Sequence, residues 1–506
     1  VRRRLALLAL VAVPRLAVLP FNENLHGDAI ARTWLAHVWL QHPHVIGSFD
    51  QGALQFGPLH LLLLALAEWV WPSLLHAGRV VSLLAGVLTT LPLEALTRRL
   101  FGASAASWAV FAFAWWGMHL QCSTTSASEA LSLLLVLAAV ERLSAWHEAP
   151  SDREALLLAA LWLNLACATR YDAWLLVPLL GVVVVQRSRD PVTAVGFTVA
   201  ASAFAAGWSF GNWVDRGDPL FPFRYIDDFH RTWYRSEEAF WGRPWYRLIC
   251  LGFWPGAALV TLTPAVALAG AVGLWRAWRA GRARWLVVVV LLPALVYTLR
   301  SVAFSSFVPL ARFTVKELAL LLPFVWLGAE GALPRWPRLR RSLVAASAVG
   351  CVGWAVGLGL ACYRTTGPVV DSLRPVSATS TNEASVMAVA RWLQGEARPG
   401  VGVVIDEDPL GYDDLTVAYF SGFSYEAQAR RRSPRFQARL EAFPPIALVH
   451  FEGGRLETEG ALVVEPGRVT FRGLAFEPVA VGSGRLRAYR RLEPRGGTEV
   501  NPGTSR

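Results

Sequence analysis

The sequence predicts a polytopic α-helical membrane protein of about 11–12 apolar helices that ends in a small polar domain of α/β or α+β type. Three observations predict it. Of 506 residues, 54% are hydrophobic and 17% charged, with a mean hydropathy of +0.39; soluble chains carry about a quarter charged residues. Apolar runs recur from the first residues to about Cys362. Beyond Tyr363 the runs give way to polar sequence, with short apolar stretches bounded by Gly and Pro.

A helix needs about 20 apolar residues to cross a bilayer. On that measure the candidate spans are roughly 5–21, 58–72, 78–97, 104–120, 127–146, 155–170, 172–187, 192–214, 248–274, 285–300, 313–332 and 342–362. Arg2-Arg3-Arg4 precedes the first run and no small-residue cleavage site follows, so an uncleaved span with a cytoplasmic N-terminus is expected. Arginine clusters orient the rest. Arg276, Arg279, Arg282 and Arg284, then Arg335, Arg338, Arg340 and Arg341, and also Arg98-Arg99 and Arg187/Arg189, read as cytoplasmic. The 215–247 and 301–312 loops and the tail then face the other side. Twelve complete crossings from inside would end inside, so one early segment, in 58–97 or 155–187, is expected not to cross.

The expected domains are a membrane domain over 1–362, an extracytoplasmic domain over 363–495 and a disordered tail over 496–506. In the second, "STNEASVMAVARWLQ" reads as a helix opened by a Ser380/Glu383 capping box. "GVGVVIDEDP", "PIALVHFEG" and "RVTFRGLAFEPVAV" read as strands. The net charge of +11 belongs mainly to Arg clusters between apolar runs, which excludes nucleic acid as the expected partner. The five Cys lie in or beside apolar runs, with neither metal spacing nor a disulfide framework.

The chemistry-bearing residues sit at the edges of the runs. "FNENLHGDAIARTWLAHVWLQHPH" (21–44) places Ile30, Ala31, Trp34, Leu35, Val38 and Trp39 on one half of a helix and Arg32, Thr33 and His37 on the other. That pattern predicts a helix lying in the membrane interface, with Asp28 at its head. Asp28 is either an N-cap, worth about 1 kcal/mol, or a carboxylate held at headgroup depth for chemistry. His37, His42 and His44 match no standard metal spacing, although a divalent metal is not excluded. "ATRYDAWLLVP" sets Arg170, Tyr171 and Asp172 between two runs, either as an Arg170–Asp172 pair or as a guanidinium for a lipid phosphate. Glu129 in "SASEALSLL" suits the start of a helix. Arg79 in "LHAGRVVSLLAG", and Arg312 and Lys316 (the only lysine) in "PLARFTVKEL", are cations at span edges, placed for a phosphate or for anionic headgroups.

Taken in order, "GDAIARTWLAHVWLQHP", "GPLHLLLLAL", "GRVVSLLAGVLTTLPLEALTRRLFG", "SEALSLLLVLAAV", "ATRYDAWLLVPLL" and "GNWVDRGDPLFP" resemble the GT-C class of integral-membrane glycosyltransferases. The resemblance covers roughly 1–330. It is closest to bacterial relatives of the dolichyl-phosphate-mannose protein mannosyltransferases and of the lipid A aminoarabinose transferases. It implies an inverting transferase with a polyprenyl-phosphate sugar donor and a lipid, glycan or protein acceptor outside the cytoplasm, working in the inner membrane of a bacterium. The family's first-loop acidic base falls on Asp28 and its donor-phosphate cation on Arg170. Where many members have two adjacent acidic residues, Ala29 follows Asp28 here, with Glu23 nearby. Two rivals are a flippase for a lipid-linked saccharide and a non-catalytic scaffold. Against the first, no repeat relates the two halves of the sequence.

Overall fold

In the computed structural model, every run that the sequence marks as a span carries a helix. Residues 2–21, 27–41, 56–72, 76–330, 345–357, 381–408, 413–431, 435–482 and 484–492 are described; Glu23, His42, His44, Ser380 and the 496–506 tail lie outside them. The chain forms two units, one of residues 1–24 and 35–376 and one of residues 25–34 and 377–506.

Within the first unit, Ala77–Phe101, Glu129–Glu148, Pro191–Arg216 and Arg284–Val302 are long and apolar enough to cross a membrane. Pro58–Val70 has 13 residues and falls short of a bilayer core. The run at 248–274, expected as one span, is instead two helices, Arg243–Thr261 and Pro264–Arg279, bent by 120°. The cause is local. Thr263 caps the second helix by accepting the Val266 amide at 3.1 Å, and Pro264 opens it without an N–H to continue the first. Arg15, which interrupts the first run, is buried; it donates to the Val11 carbonyl at 2.8 Å and meets His119 Nδ1 at 2.7 Å.

The helix Pro264–Arg279 meets Val325–Glu330 backbone to backbone. A Cβ on Gly328 would lie 1.8 Å from the Ala269 carbonyl oxygen, and one on Gly273 would lie 1.9 Å from that of Phe324. Small residues at a helix crossing permit such an approach. Gly328→Ala is therefore expected to cost about 2–3 kcal/mol, read as a lower midpoint of thermal unfolding in lipid. Gly207→Ala, where a Cβ meets nothing within 4 Å, is the control and should be neutral or slightly stabilising.

The second unit holds a seven-stranded sheet in the order β2-β1-β3-β7-β6-β5-β4. Its strands are β1 (Gly402–Ile405), β2 (Gln428–Arg430), β3 (Pro445–Phe451), β4 (Leu462–Glu465), β5 (Arg468–Phe471), β6 (Leu474–Val479) and β7 (Leu486–Arg491). β1 is parallel to β2 and β3, and the remaining pairs are antiparallel. The expected helix is present as Thr381–Glu396. "RVTFRGLAFEPVAV" is a hairpin, turned by Arg472 (φ 51°) and Gly473 (φ 77°). The core gathers Val404, Leu448, Phe471, Phe476 and Tyr489.

Beyond β1, Arg485 grips Asp408 at 2.6 and 3.3 Å and reaches Asp413 at 3.4 Å. Burial, and then repulsion from Asp408, push the Asp413 carboxyl up to about 6. The folded state thus holds a proton that the unfolded chain gives up. The stability linked to it is complete below the ordinary aspartate range and is lost as pH rises through about 6. Asp413→Asn should stabilise this unit at neutral pH by on the order of 2 kcal/mol and change little near about pH 4. Protease resistance of the full chain at the two pH values reads the difference.

Candidate functional site

The helix Arg153–Thr169 ends where Arg170 turns extended (φ −150°, ψ 137°), and a 3-10 turn, Tyr171–Leu175, follows. This break lifts Arg170 and Asp172 out of the helical ladder and frees them to meet side chains from elsewhere. Arg170 Nη1 donates to Glu129 Oε1 at 2.7 Å and to Ser128 Oγ at 3.0 Å. Its Nε–H is shared between the two Asp172 oxygens, each at 3.3 Å. Lys316 pairs with Asp172, and Arg312 Nη1 lies 3.9 Å from Glu129 Oε1. The Phe313 ring lies beneath both guanidiniums, 5.8 Å from the carbon of Arg170 and 5.3 Å from that of Arg312.

Among the described residues, five charged side chains from three stretches of sequence thus form one cluster, three cations and two carboxylates. Arg170 is 12% exposed, Lys316 9% and Glu129 4%, whereas Arg312 keeps 24%. Charges this far out of water interact more strongly than surface pairs. The local sequence accounts for each placement. Glu129 opens the helix Glu129–Glu148, where its charge meets the positive end of the dipole. Arg312 lies in the 3-10 turn Ala311–Thr314, immediately before the helix that carries Lys316.

Tyr171 has an anchoring place. Its hydroxyl accepts from Trp208 Nε1 at 2.8 Å and donates to the Phe56 carbonyl at 3.4 Å. Arg79 lies on the backbone of the segment that leads into Ser128 and Glu129. It donates from Nε to the Thr124 carbonyl at 2.9 Å and from Nη2 to that of Leu19. The structure therefore brings Glu129, Arg170, Arg312 and Lys316 together with Asp172 and Ser128, and gives Arg79 and Tyr171 supporting positions. The Lys316–Asp172 pair and the Ser128 contact had no signal in the sequence.

Asp28 belongs to the second unit. It lies in the first turn of Gly27–Gln41 rather than before it, and is half-buried. The expected helix with one open polar face is not what forms, because Arg32 and Thr33 are as buried as Ile30 and Trp34. Trp34 packs against Tyr419 and Tyr425, with ring centroids 6.4 and 5.9 Å away, and the Arg430 guanidinium lies 5.4 Å from its ring. In the first unit, His37 Nδ1 meets Glu68 Oε1 at 2.6 Å and its Nε2 meets Gln41 at 2.9 Å. Among the described residues no group of three or more His, Cys, Asp or Glu is arranged to hold a metal ion.

No protein-family model matches the chain, and no curated protein does. Solved structures do. The crystal structure of ArnT from Cupriavidus metallidurans bound to undecaprenyl phosphate superimposes with a TM-score of 0.62 at 16% identity, over 98% of this chain and 99% of that one. The chain has the GT-C fold of ArnT. The apo form of ArnT matches with the same TM-score at 14% identity, over 96% and 97% of the two chains. The oligosaccharyltransferase of Archaeoglobus fulgidus lies further off, with a TM-score of 0.49 at 13% identity and 67% of its chain covered. The agreement with ArnT extends through the C-terminal sheet unit, and the apolar helices fit a multi-pass membrane protein.

Proposed function

We propose that this protein is an inverting glycosyltransferase. It moves a sugar from a polyprenyl-phosphate donor to a lipid, glycan or protein acceptor on the outer face of a bacterial inner membrane. The observation that carries this reading is the cluster of Arg170, Arg312 and Lys316 around Glu129 and Asp172. It gathers three cations in a half-dry setting, which suits a lipid phosphodiester. The ArnT fold, crystallised with undecaprenyl phosphate, supports it.

In the reaction, the bond from the anomeric carbon to the phosphate oxygen breaks while the acceptor oxygen attacks from the opposite face. Arg170, Arg312 and Lys316 take up the charge that grows on the departing phosphate. Asp28 is the base that removes the acceptor proton, and a carboxylate in that role contributes about 10²–10⁴-fold. Arg79 and Tyr171 hold the turn and the loop that carry the phosphate ligands. The N-terminus is cytoplasmic and the C-terminal unit lies outside, where it contributes to acceptor recognition.

The test uses the protein reconstituted in lipid, a panel of polyprenyl-phosphate sugars and membrane extract as acceptor, and follows free polyprenyl phosphate. Release from at least one donor supports the reading. Labelled donor crossing the bilayer without release would replace it with transport.

A further inference from the structure

The stretch "FGP" (56–58) opens the helix Pro58–Val70, and Gly57 is its N-cap residue. The backbone there does not ask for glycine. Gly57 has φ −67° and ψ 138°, a conformation open to every residue. At an N-cap, Ser, Thr, Asp or Asn would add a side-chain acceptor that glycine lacks. Glycine also loses more chain entropy on folding than any other residue. What glycine permits is close approach. A Cβ at position 57 would lie 2.5 Å from the Ala168 carbonyl oxygen, and 2.5 Å from both the carbon and the oxygen of the Thr169 carbonyl.

The Thr169 carbonyl belongs to the peptide unit that joins Thr169 to Arg170. At that unit the helix Arg153–Thr169 gives way to the extended Arg170. The neighbouring backbone is already held in place. The Thr169 hydroxyl donates to the Leu165 carbonyl at 2.9 Å, Trp174 Nε1 donates to that of Cys167 at 3.0 Å, and the Arg170 amide donates to that of Ala166 at 3.0 Å. Beside Gly57, the Phe56 carbonyl accepts from the Tyr171 hydroxyl at 3.4 Å. Phe56 and Gly57 thus touch the residues before and after Arg170.

We propose that Gly57 is a positioning residue for the phosphate ligand Arg170. Its missing side chain lets the Phe56–Gly57 backbone seat the turn, and the seat fixes where the guanidinium meets Ser128, Glu129 and an incoming phosphate. The proposal rests on the donor-phosphate reading above and adds to it a residue that acts through Arg170 rather than on the donor. Gly328 supplies the comparison. It too is pressed against a backbone carbonyl, that of Ala269, but at a helix crossing that carries no member of the charged cluster.

The test measures binding of undecaprenyl phosphate to the full chain in lipid nanodiscs, beside the midpoint of thermal unfolding. Gly57→Ala and Gly328→Ala should both unfold at a lower temperature than wild type. Gly57→Ala alone should also bind the phosphate more weakly, by about tenfold, the worth of one charge-assisted hydrogen bond. Tyr171→Phe, which removes the Phe56 contact without adding an atom, should fold and bind about threefold more weakly. A folded Gly57→Ala with wild-type affinity, or with an affinity no lower than that of Gly328→Ala, would overturn the proposal while leaving the phosphate site in place. Should Gly57→Ala not fold, wild-type affinity in Tyr171→Phe would overturn it. No binding by wild type would overturn the donor-phosphate reading and this inference with it.

Discussion

Arg170→Gln should reduce sugar transfer by at least about 10²–10³-fold. Arg170 touches Ser128, Glu129 and Asp172 together. Its removal takes away a phosphate ligand and the guanidinium that lies 2.7 Å from Glu129 Oε1. An anion stripped of its partner at this depth costs about 3–5 kcal/mol, so a fall in thermal stability should accompany the loss of activity. Arg170→Lys separates the two effects. An ammonium restores the charge but not the planar fork that bridges two carboxylates. Stability should recover in part while transfer stays low, and donor affinity should fall in both variants.

Asp28→Asn should lower the rate by about 10²–10⁴-fold with donor affinity unchanged. Asn keeps the size of the side chain and its ability to accept a backbone N–H, so the first turn of Gly27–Gln41 stays formed. The informative comparison is single-turnover transfer against equilibrium binding of the donor. A base is missed only in the first. If Asp28→Asn transfers at the wild-type rate, Asp28 has only its place in the helix, and the base must be sought elsewhere.

Much of the fold was legible because hydrophobic runs of span length dictate helices wherever the backbone cannot bond to water. The break at Leu262–Thr263 was passed over, although Thr-Pro is a helix-start signal in its own right. There the apolar run, read as one length, outweighed the cap inside it. In the sheet unit, β1 and β3 were legible because their residues are apolar and bounded by Gly or Pro. β2 was not. Its Gln428 and Arg430 look like surface residues, yet both are buried. The Gln428 amide serves the Ala418 and Phe423 carbonyls, and Arg430 pairs with Asp414 at 3.2 Å. Partners that lie distant in sequence decided that burial.

The site divides along the same line. Glu129, Arg170, Arg312 and Lys316 stood out one by one as charges at the edges of apolar runs, where solvation makes them conspicuous. Their convergence was not legible, because every contact but Arg170–Asp172 joins stretches far apart in the chain. Arg79 was equally conspicuous and lies instead on the Thr124 and Leu19 carbonyls. Residue type and depth identify which charges need a partner. Only the packing of the helices says which partner each one finds.

The most direct test of the central claim is a cryo-electron microscopy structure of the chain in lipid nanodiscs with undecaprenyl phosphate. The account predicts a phosphate held by Arg170, Arg312 and Lys316, with at least one of their present contacts to Glu129 or Asp172 opened to receive it. Phosphate density at another place, with the five-charge cluster closed as it stands here, would contradict the account.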